Sequence, residues 1–264
     1  MAHTEVHLRG AHAEVVAPGL TDDVAVEEPL EIRVDGRPLA VTMRTPGHDE
    51  ELALGFLFGE GLIDGPHPAA PPADLAANTV EVTGPLSRLP DARAFFTSSS
   101  CGVCGKGALE QVAVHAAVLP NDGTSRIERG VLAELPERLR QPTFVRTGGV
   151  HATGLFTGSG ELVCVREDVG RHNAMDKVVG WALSDATTTR PPFHEYILCV
   201  SGRLSFELVQ KAAVAGVPIL VGVGAPSSLA VQLADDRNLT LAGFARAGRV
   251  NVYTAAQRVI EPTV

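Results

Sequence analysis

The chain has 264 residues and carries 31 acidic against 22 basic side chains, a net charge of −9, which argues against a general nucleic-acid binder. Hydrophobic residues make up 45% and charged residues 20%, so a core is easily filled and global disorder is excluded. The length suits one large or two modest domains.

No apolar run reaches the roughly 18 residues of a membrane-spanning helix, and the N-terminus MAHTEVHLRGAHAEVVAPG has no apolar signal core. Four cysteines are too few for a disulfide scaffold in a chain of this size. The expectation is a cytoplasmic, reduced protein with neither membrane nor nucleic-acid partner. Residues 1–100 hold 16 acids and 6 bases, whereas residues 101–264 hold 15 and 16, so the acidity is N-terminal and two regions with different partners are expected.

The first 20 residues carry no clear element signal. EEPLEIRVDGRPLAVTMRT reads as two strands around Asp35 and Gly36, a pair suited to the positive φ angles of a type I′ hairpin turn. Asp49, Glu50 and Glu51 open a helix over DEELALGFLFGEGLI, with Leu52, Phe56 and Ile63 on one apolar face. DGPHPAAPPADL predicts an irregular loop and NTVEVTG a strand. FVRTGGVHATGLF and ELVCVREDV predict strands separated by a Gly–Ser–Gly turn. GRHNAMDKVVGWAL predicts a helix, with Ala174, Val178 and Trp181 on one side. YILCV, PILVGV and LTLAGFARAGRVNVYT read as strands, with helices over SFELVQKAAVAG and SSLAVQLADDRN between them. Repeated strand–helix–strand units predict a mainly parallel sheet covered by helices.

The stretch FFTSSSCGVCGKGALEQVAVHAAVL holds Cys101 and Cys104 in a polar, Gly-rich setting expected to be an exposed, mobile loop, with a helix starting near Ala108. Lys106 and the positive end of that helix would lower a thiol pKa, and the thiolate is the nucleophile. Cys164 and Cys199 lie in apolar strands and are expected to be inert. The CxxC pair admits several readings. A zinc site needs about four ligands, and His115, His151 and His172 fit by type but not by spacing. A dithiol redox centre, a structural loop with incidental cysteines, and covalent sulfur carriage as a persulfide are the others.

Three strand-to-helix turns share a design: Gly170, Arg171, His172 and Asn173; Ser201, Gly202, Arg203 and Ser205; Gly224, Ser227 and Ser228. Such turns lie together at the carboxyl ends of open α/β sheets, where ligands bind. Free N–H groups at helix starts, together with arginine, suit phosphates. Arg246 and Arg249 add charge, and Gly243 and Gly248 allow close backbone approach. Taken singly, each turn is equally well read as helix capping. His172 is either a ligand contact or a helix-start residue, and Glu167 with Asp168 is a weak catalytic pair beside Arg166 and Arg171. Without GxGxxG or a P-loop, the turns point to a phosphate-bearing small molecule of unspecified kind.

TSSSCGVCGKG, FVRTGGVHATGLF, EDVGRHNAMDKVVG, VSGRLSFELVQKAA and the GFARAGR tail, in this order, resemble the formate dehydrogenase accessory sulfurtransferase family (FdhD), from about residue 28 to residue 254. The resemblance implies an α/β protein: a smaller α+β unit over 1–99, then a CxxC loop and a cytidine-deaminase-like domain without a zinc site over 100–264. It implies sulfur transfer from a cysteine desulfurase to the molybdenum cofactor in its bis(molybdopterin guanine dinucleotide) form, which is sulfurated before insertion into formate dehydrogenase. Cys101 would bear the persulfide and Cys104 assist. Phe244, Ala245, Arg246, Ala247, Gly248 and Arg249 would help bind that cofactor, alongside the Arg171, His172, Asn173, Ser201, Gly202 and Arg203 turns. A homodimer with no metal and no permanently bound cofactor is expected. A cofactor-binding chaperone that transfers no sulfur is the alternative.

Overall fold

The computed structural model describes residues 4–73, 78–88, 116–121, 123, 125–185 and 190–261. The opening segment, which offers no sequence signal, forms a three-stranded antiparallel sheet: β1 (Glu5–Arg9), β2 (His12–Ala17) and β3 (Leu20–Ala25). Gly10 and Gly19 turn the chain at positive φ, 72° and 79°.

The Asp35–Gly36 hairpin forms as expected between β4 (Glu28–Val34) and β5 (Arg37–Arg44), with φ of 48° and 76° at the two turn residues. Helix α1 (Asp49–Gly59) starts at its acidic first turn. The Pro-rich stretch is irregular apart from the two-residue strand β6 (Ala69–Ala70). Strand β7 (Thr79–Val82) runs parallel to β4, giving the order β5-β4-β7-β6.

The single apolar face expected for α1 is corrected. Leu52, Ala53, Leu54, Gly55, Leu57, Phe58 and Gly59 are all buried, and Ile63 is buried past the helix end. The helix is enclosed because it lies between its own sheet and a helix of the C-terminal region. That helix crosses so closely that a Cβ on Gly55 would sit 1.8 Å from the Asp176 carbonyl oxygen, and one on Gly180 would sit 1.8 Å from that of Glu51.

The C-terminal half begins with β8 (Ile127–Glu128), α2 (Arg129–Glu134), a 3-10 turn (Leu135–Arg138) and α3 (Pro142–Thr147). Residues 144–147, read as strand from the alternation that starts near Phe144, are therefore helical. Pro142 starts this helix and Gly148, at φ 65°, ends it. Then follow β9 (His151–Thr157), β10 (Leu162–Asp168), α4 (Arg171–Ser184), β11 (Tyr196–Val200), α5 (Phe206–Val214), β12 (Ile219–Gly222) and α6 (Ser228–Asp236). The last run is not one strand. It is the hairpin β13 (Thr240–Arg246) and β14 (Arg249–Val252), turned at Ala247 and Gly248 with φ of 51° and 73°. A short β15 (Val259–Ile260) pairs with β8.

The main sheet has the order β10-β9-β11-β12-β13-β14. Only β11·β12 and β12·β13 are parallel, whereas β10·β9, β9·β11 and β13·β14 are antiparallel. The expectation of a mainly parallel sheet is thus corrected: hairpins close both of its ends. Period-two alternation splits the buried strands between two cores. Ile197 and Cys199 face α2 and the 3-10 turn, while Leu198 and Val200 face the helical layer of α1, α4, α5 and α6. The latter core is continuous with Leu30, Ile32 and Val80 of the N-terminal sheet. The architecture is a mixed α/β fold with several sheets. Among the described residues no helix is long and apolar enough to cross a membrane.

Candidate functional site

Because β10 and β11 each run antiparallel to β9, they share one direction, and β12 and β13 share it too. The turns after β10, β11 and β12 therefore open on one sheet edge, together with the start of β9 and the end of β13. Hydrogen bonds stitch them into a common wall. Ser201 N donates to Ala152 O at 2.9 Å, Gly224 N to Gly202 O at 3.0 Å, Leu204 N to Ala225 O at 3.0 Å and Phe244 N to Gly224 O at 3.2 Å. A Cβ on Gly224 would lie 2.8 Å from Arg203 Cα, so only hydrogen fits where these turns meet.

The first turn is fixed from within by a fully buried carboxylate. Asp168 Oδ1 accepts from Gly170 N at 2.8 Å and from Asn173 Nδ2 at 3.0 Å. Its Oδ2 accepts from Thr45 N at 3.1 Å and pairs with Lys177 Nζ at 2.7 Å. Lys177 also donates to Thr45 O at 2.8 Å. These bonds tie the start of α4 to the loop after β5.

What this turn presents outward is cationic. Arg171 Nε is buried without a hydrogen-bond partner. His172 Nε2 lies 3.3 Å from Ser205 Oγ and 3.7 Å from Glu207 Oε2. Burial, then the charges of Arg171 and Lys211, push the His172 ring down to a pKa of about 4. Burial, then Arg171 and Arg203, also lower His151, whose Nδ1 would lie 3.3 Å from a Cβ on Gly202. Both imidazoles are therefore neutral near pH 7. The start of α4, at Gly170, has no side-chain cap, whereas at the start of α5 the Glu207 carboxylate accepts from its own backbone N–H and from Ser205. The uncapped start of α4, two arginines and two neutral histidines make a crevice suited to an oxyanion, with the Glu207 carboxylate at its α5 side.

His172 gives a pH test. Its native pKa lies below the usual 6.5, so its contribution to stability is intact above about 6.5 and is lost progressively as the pH falls towards about 4. The ring's NMR shifts are expected to report a neutral imidazole at pH ~5.5, and Arg171→Ala should move the midpoint upward. A midpoint near 6.5 in the unmodified chain would contradict the geometry.

The predicted residues divide on inspection. Arg171, His172, Ser201, Gly202 and Arg203 meet at the crevice. Asn173 sits beside them, but its side chain is spent on Met43 O, Asp168 and Thr42 at 2.7, 3.0 and 3.3 Å, so it anchors the turn to β5. Ser201 Oγ accepts from Ala152 N at 2.9 Å.

Beyond the end of β12, residues 244–246 run past the sheet edge. Phe244 stands there with a left-handed φ of 54° and 51% exposure, a conformation uncommon for an aromatic residue. Arg246 and Arg249 pair across the hairpin, exposed with Ala247 and Gly248, whereas Ala245 is buried in the opposite core. Ala247 N donates to Glu137 Oε1 at 3.2 Å.

From sequence, His151 is no more than a zinc candidate. Its place on the crevice follows from antiparallel pairing, which sets the start of β9 beside the end of β11. Cys101, Cys104 and His115 lie outside the described residues. Cys164 and Cys199 are buried, free thiols. Burial pushes Cys164 up to about 12 and Cys199 higher still, so both are inert as expected.

The fold is mixed α/β, and the turns at the carboxyl edge of its main sheet bring Arg171, Arg203, His151 and His172 together. Comparison with known proteins names the group. Residues 25–260 match the model of the FdhD/NarQ family, and the chain belongs to that family. It is 50% identical over 254 residues to the sulfur carrier protein FdhD of Streptomyces coelicolor, covering 90% of this chain and 89% of that protein. The protein of the same name from Mycobacterium tuberculosis is 44% identical over 280 residues, with 98% of each chain covered. That of Sulfolobus acidocaldarius is 45% identical over 240 residues, covering 90% and 91%. The fold is similar to the crystal structure of a formate dehydrogenase accessory protein from Desulfotalea psychrophila, with a TM-score of 0.72, 25% identity and coverage of 98% and 99%.

Proposed function

We propose that this chain carries sulfur as a persulfide on Cys101 and delivers it to a molybdenum cofactor bearing guanine dinucleotides, held at the crevice, for use by formate dehydrogenase. The observation that carries the reading is the crevice itself. The unpartnered Arg171 Nε, Arg203 and the uncapped start of α4 suit the pyrophosphate groups of such a substrate. The relatives' name, sulfur carrier protein FdhD, supports the thiol half. In the loading step the Cys101 thiolate attacks the sulfane sulfur of a cysteine desulfurase persulfide and releases the donor's thiolate, so no external oxidant or reductant is needed. Cys104, three residues on, assists. The neutral His151 and His172 offer hydrogen bonds without adding charge.

The test has two arms. After incubation with a desulfurase and cysteine, mass spectrometry is expected to show one added sulfur on the chain, absent in Cys101→Ala, and that variant should fail to restore formate dehydrogenase activity. Restoration by Cys101→Ala would leave a cofactor-binding chaperone instead. In the second arm, Arg171→Ala and Arg203→Ala should each weaken GDP binding by about tenfold or more, since a charge-assisted hydrogen bond contributes roughly 1.5–3 kcal/mol. Unchanged affinity in both would move the anion site elsewhere.

A further inference from the structure

The crevice holds one acid that works against an anion. Glu207 stands in the first turn of α5, with its side chain 27% exposed. Its Oε2 lies 3.7 Å from His172 Nε2, and among the described residues that ring is its only ion-pair partner. The other acids of this region are matched by lysines. Asp168 Oδ2 lies 2.7 Å from Lys177 Nζ, and Asp176 Oδ1 lies 2.8 Å from Lys211 Nζ. Lys211, one turn further along α5, is therefore held by Asp176 and does not pair with Glu207.

Burial opposes the charge on Glu207. Its own backbone N–H, the Ser205 hydroxyl and the neighbouring His172 and Arg171 outweigh that and hold the carboxyl below its usual range. A negative charge thus stands in the crevice near pH 7. An acid in a first turn also favours the helix, but a glutamine at this position would serve the same hydrogen bonds without the charge.

A fixed carboxylate repels every bound oxyanion, and the repulsion grows with the charge brought in. The internal pyrophosphate of a dinucleotide is a diester, with a single charge on each phosphate. A free nucleoside di- or triphosphate ends in a monoester-type phosphate that loses a further proton at a pH of about 6, so it brings more charge.

We infer that Glu207 is a specificity-determining residue of the crevice, which lowers the affinity for free nucleoside di- and triphosphates more than for a dinucleotide with an internal pyrophosphate. The inference rests on the proposed reading of the crevice as the seat of such a dinucleotide. It adds how that ligand is told apart from free nucleotides with the same base and the same phosphate contacts.

The test is calorimetry on the full chain without divalent cations, with GDP, GTP and diguanosine 5′,5′-pyrophosphate as probes. In Glu207→Gln, GDP and GTP should bind about tenfold tighter and the dinucleotide about threefold tighter or less. The gain should shrink at high salt. Glutamine keeps an oxygen to accept from Ser205 and from its own N–H, so the urea midpoint is expected to hold, and a purely helix-stabilising role would leave all three affinities unchanged. Glu207→Ala, which removes the charge without supplying an amide, should show the same order of gains. Unchanged or weakened binding of GDP and GTP in both variants overturns the inference, as does equal tightening for all three probes. Failure of the dinucleotide to bind even the unmodified chain is a different result: it overturns the crevice reading, and the inference with it.

Discussion

Asp168→Ala is expected to destabilise the protein by about 3–5 kcal/mol, the usual consequence of removing one partner of a buried ion pair. The cost does not come from the lost attraction alone. Lys177 is 1% exposed, and its ammonium would keep only the Thr45 carbonyl as an acceptor. Gly170 N and Thr45 N would lose their acceptor in the same step, and Asn173 Nδ2 would keep only Met43 O. The change should appear as a lowered urea midpoint. The double variant Asp168→Ala/Lys177→Met should recover much of the loss, because it removes the stranded charge. A loss below about 1 kcal/mol, the scale of an exposed pair, would show that Lys177 finds water or another partner. The crevice should suffer too, since this carboxylate fixes the turn that presents Arg171 and His172.

Gly180→Ala is the second change with a large expected effect. A single methyl group at this position would overlap the Glu51 carbonyl oxygen, with its carbon 1.8 Å away. The obstacle is backbone, so no rotamer relieves it and α1 must move away from α4. The cost should reach or exceed the ~1–3 kcal/mol typical of overpacked cores, even though alanine is the better helix former by about 1 kcal/mol. Because α4 begins at the crevice, its displacement should also weaken GDP binding. Alanine at Gly65, which has open space around it, is the control and should leave both measurements unchanged. A Gly180→Ala protein as stable as the unmodified chain would mean that the helix crossing is far looser than described.

The Asp35–Gly36 hairpin, the acidic start of α1, the strands YILCV and PILVGV and the inert Cys164 and Cys199 are all legible from local sequence. Each depends on nearest-neighbour chemistry: positive φ at a turn, charge at a helix start, or a run of apolar residues in a strand. The three strand-to-helix turns are legible for the same reason. Residues 144–147 mislead because four residues are too few to tell strand alternation from one turn of helix. Here Pro142 and Gly148 bracket them into one short helix instead. The first 20 residues give little away because their alternation packs little into the core, and an exposed sheet leaves no continuous apolar signature.

By itself, then, the sequence determined most kinds of element, the pairing of polar turns with helix starts, the burial of Cys164 and Cys199 and, through its ordered motifs, the family. Only the tertiary structure decided that hairpins close the main sheet, that Asn173 anchors β5, that Ala245 faces away from the crevice, and that His151 joins Arg171 and Arg203. The physical reason is range. Propensity and periodicity act over a few residues, whereas strand order and helix crossing are set by contacts between segments up to about a hundred residues or more apart, such as Thr45 with Lys177 or Glu51 with Gly180.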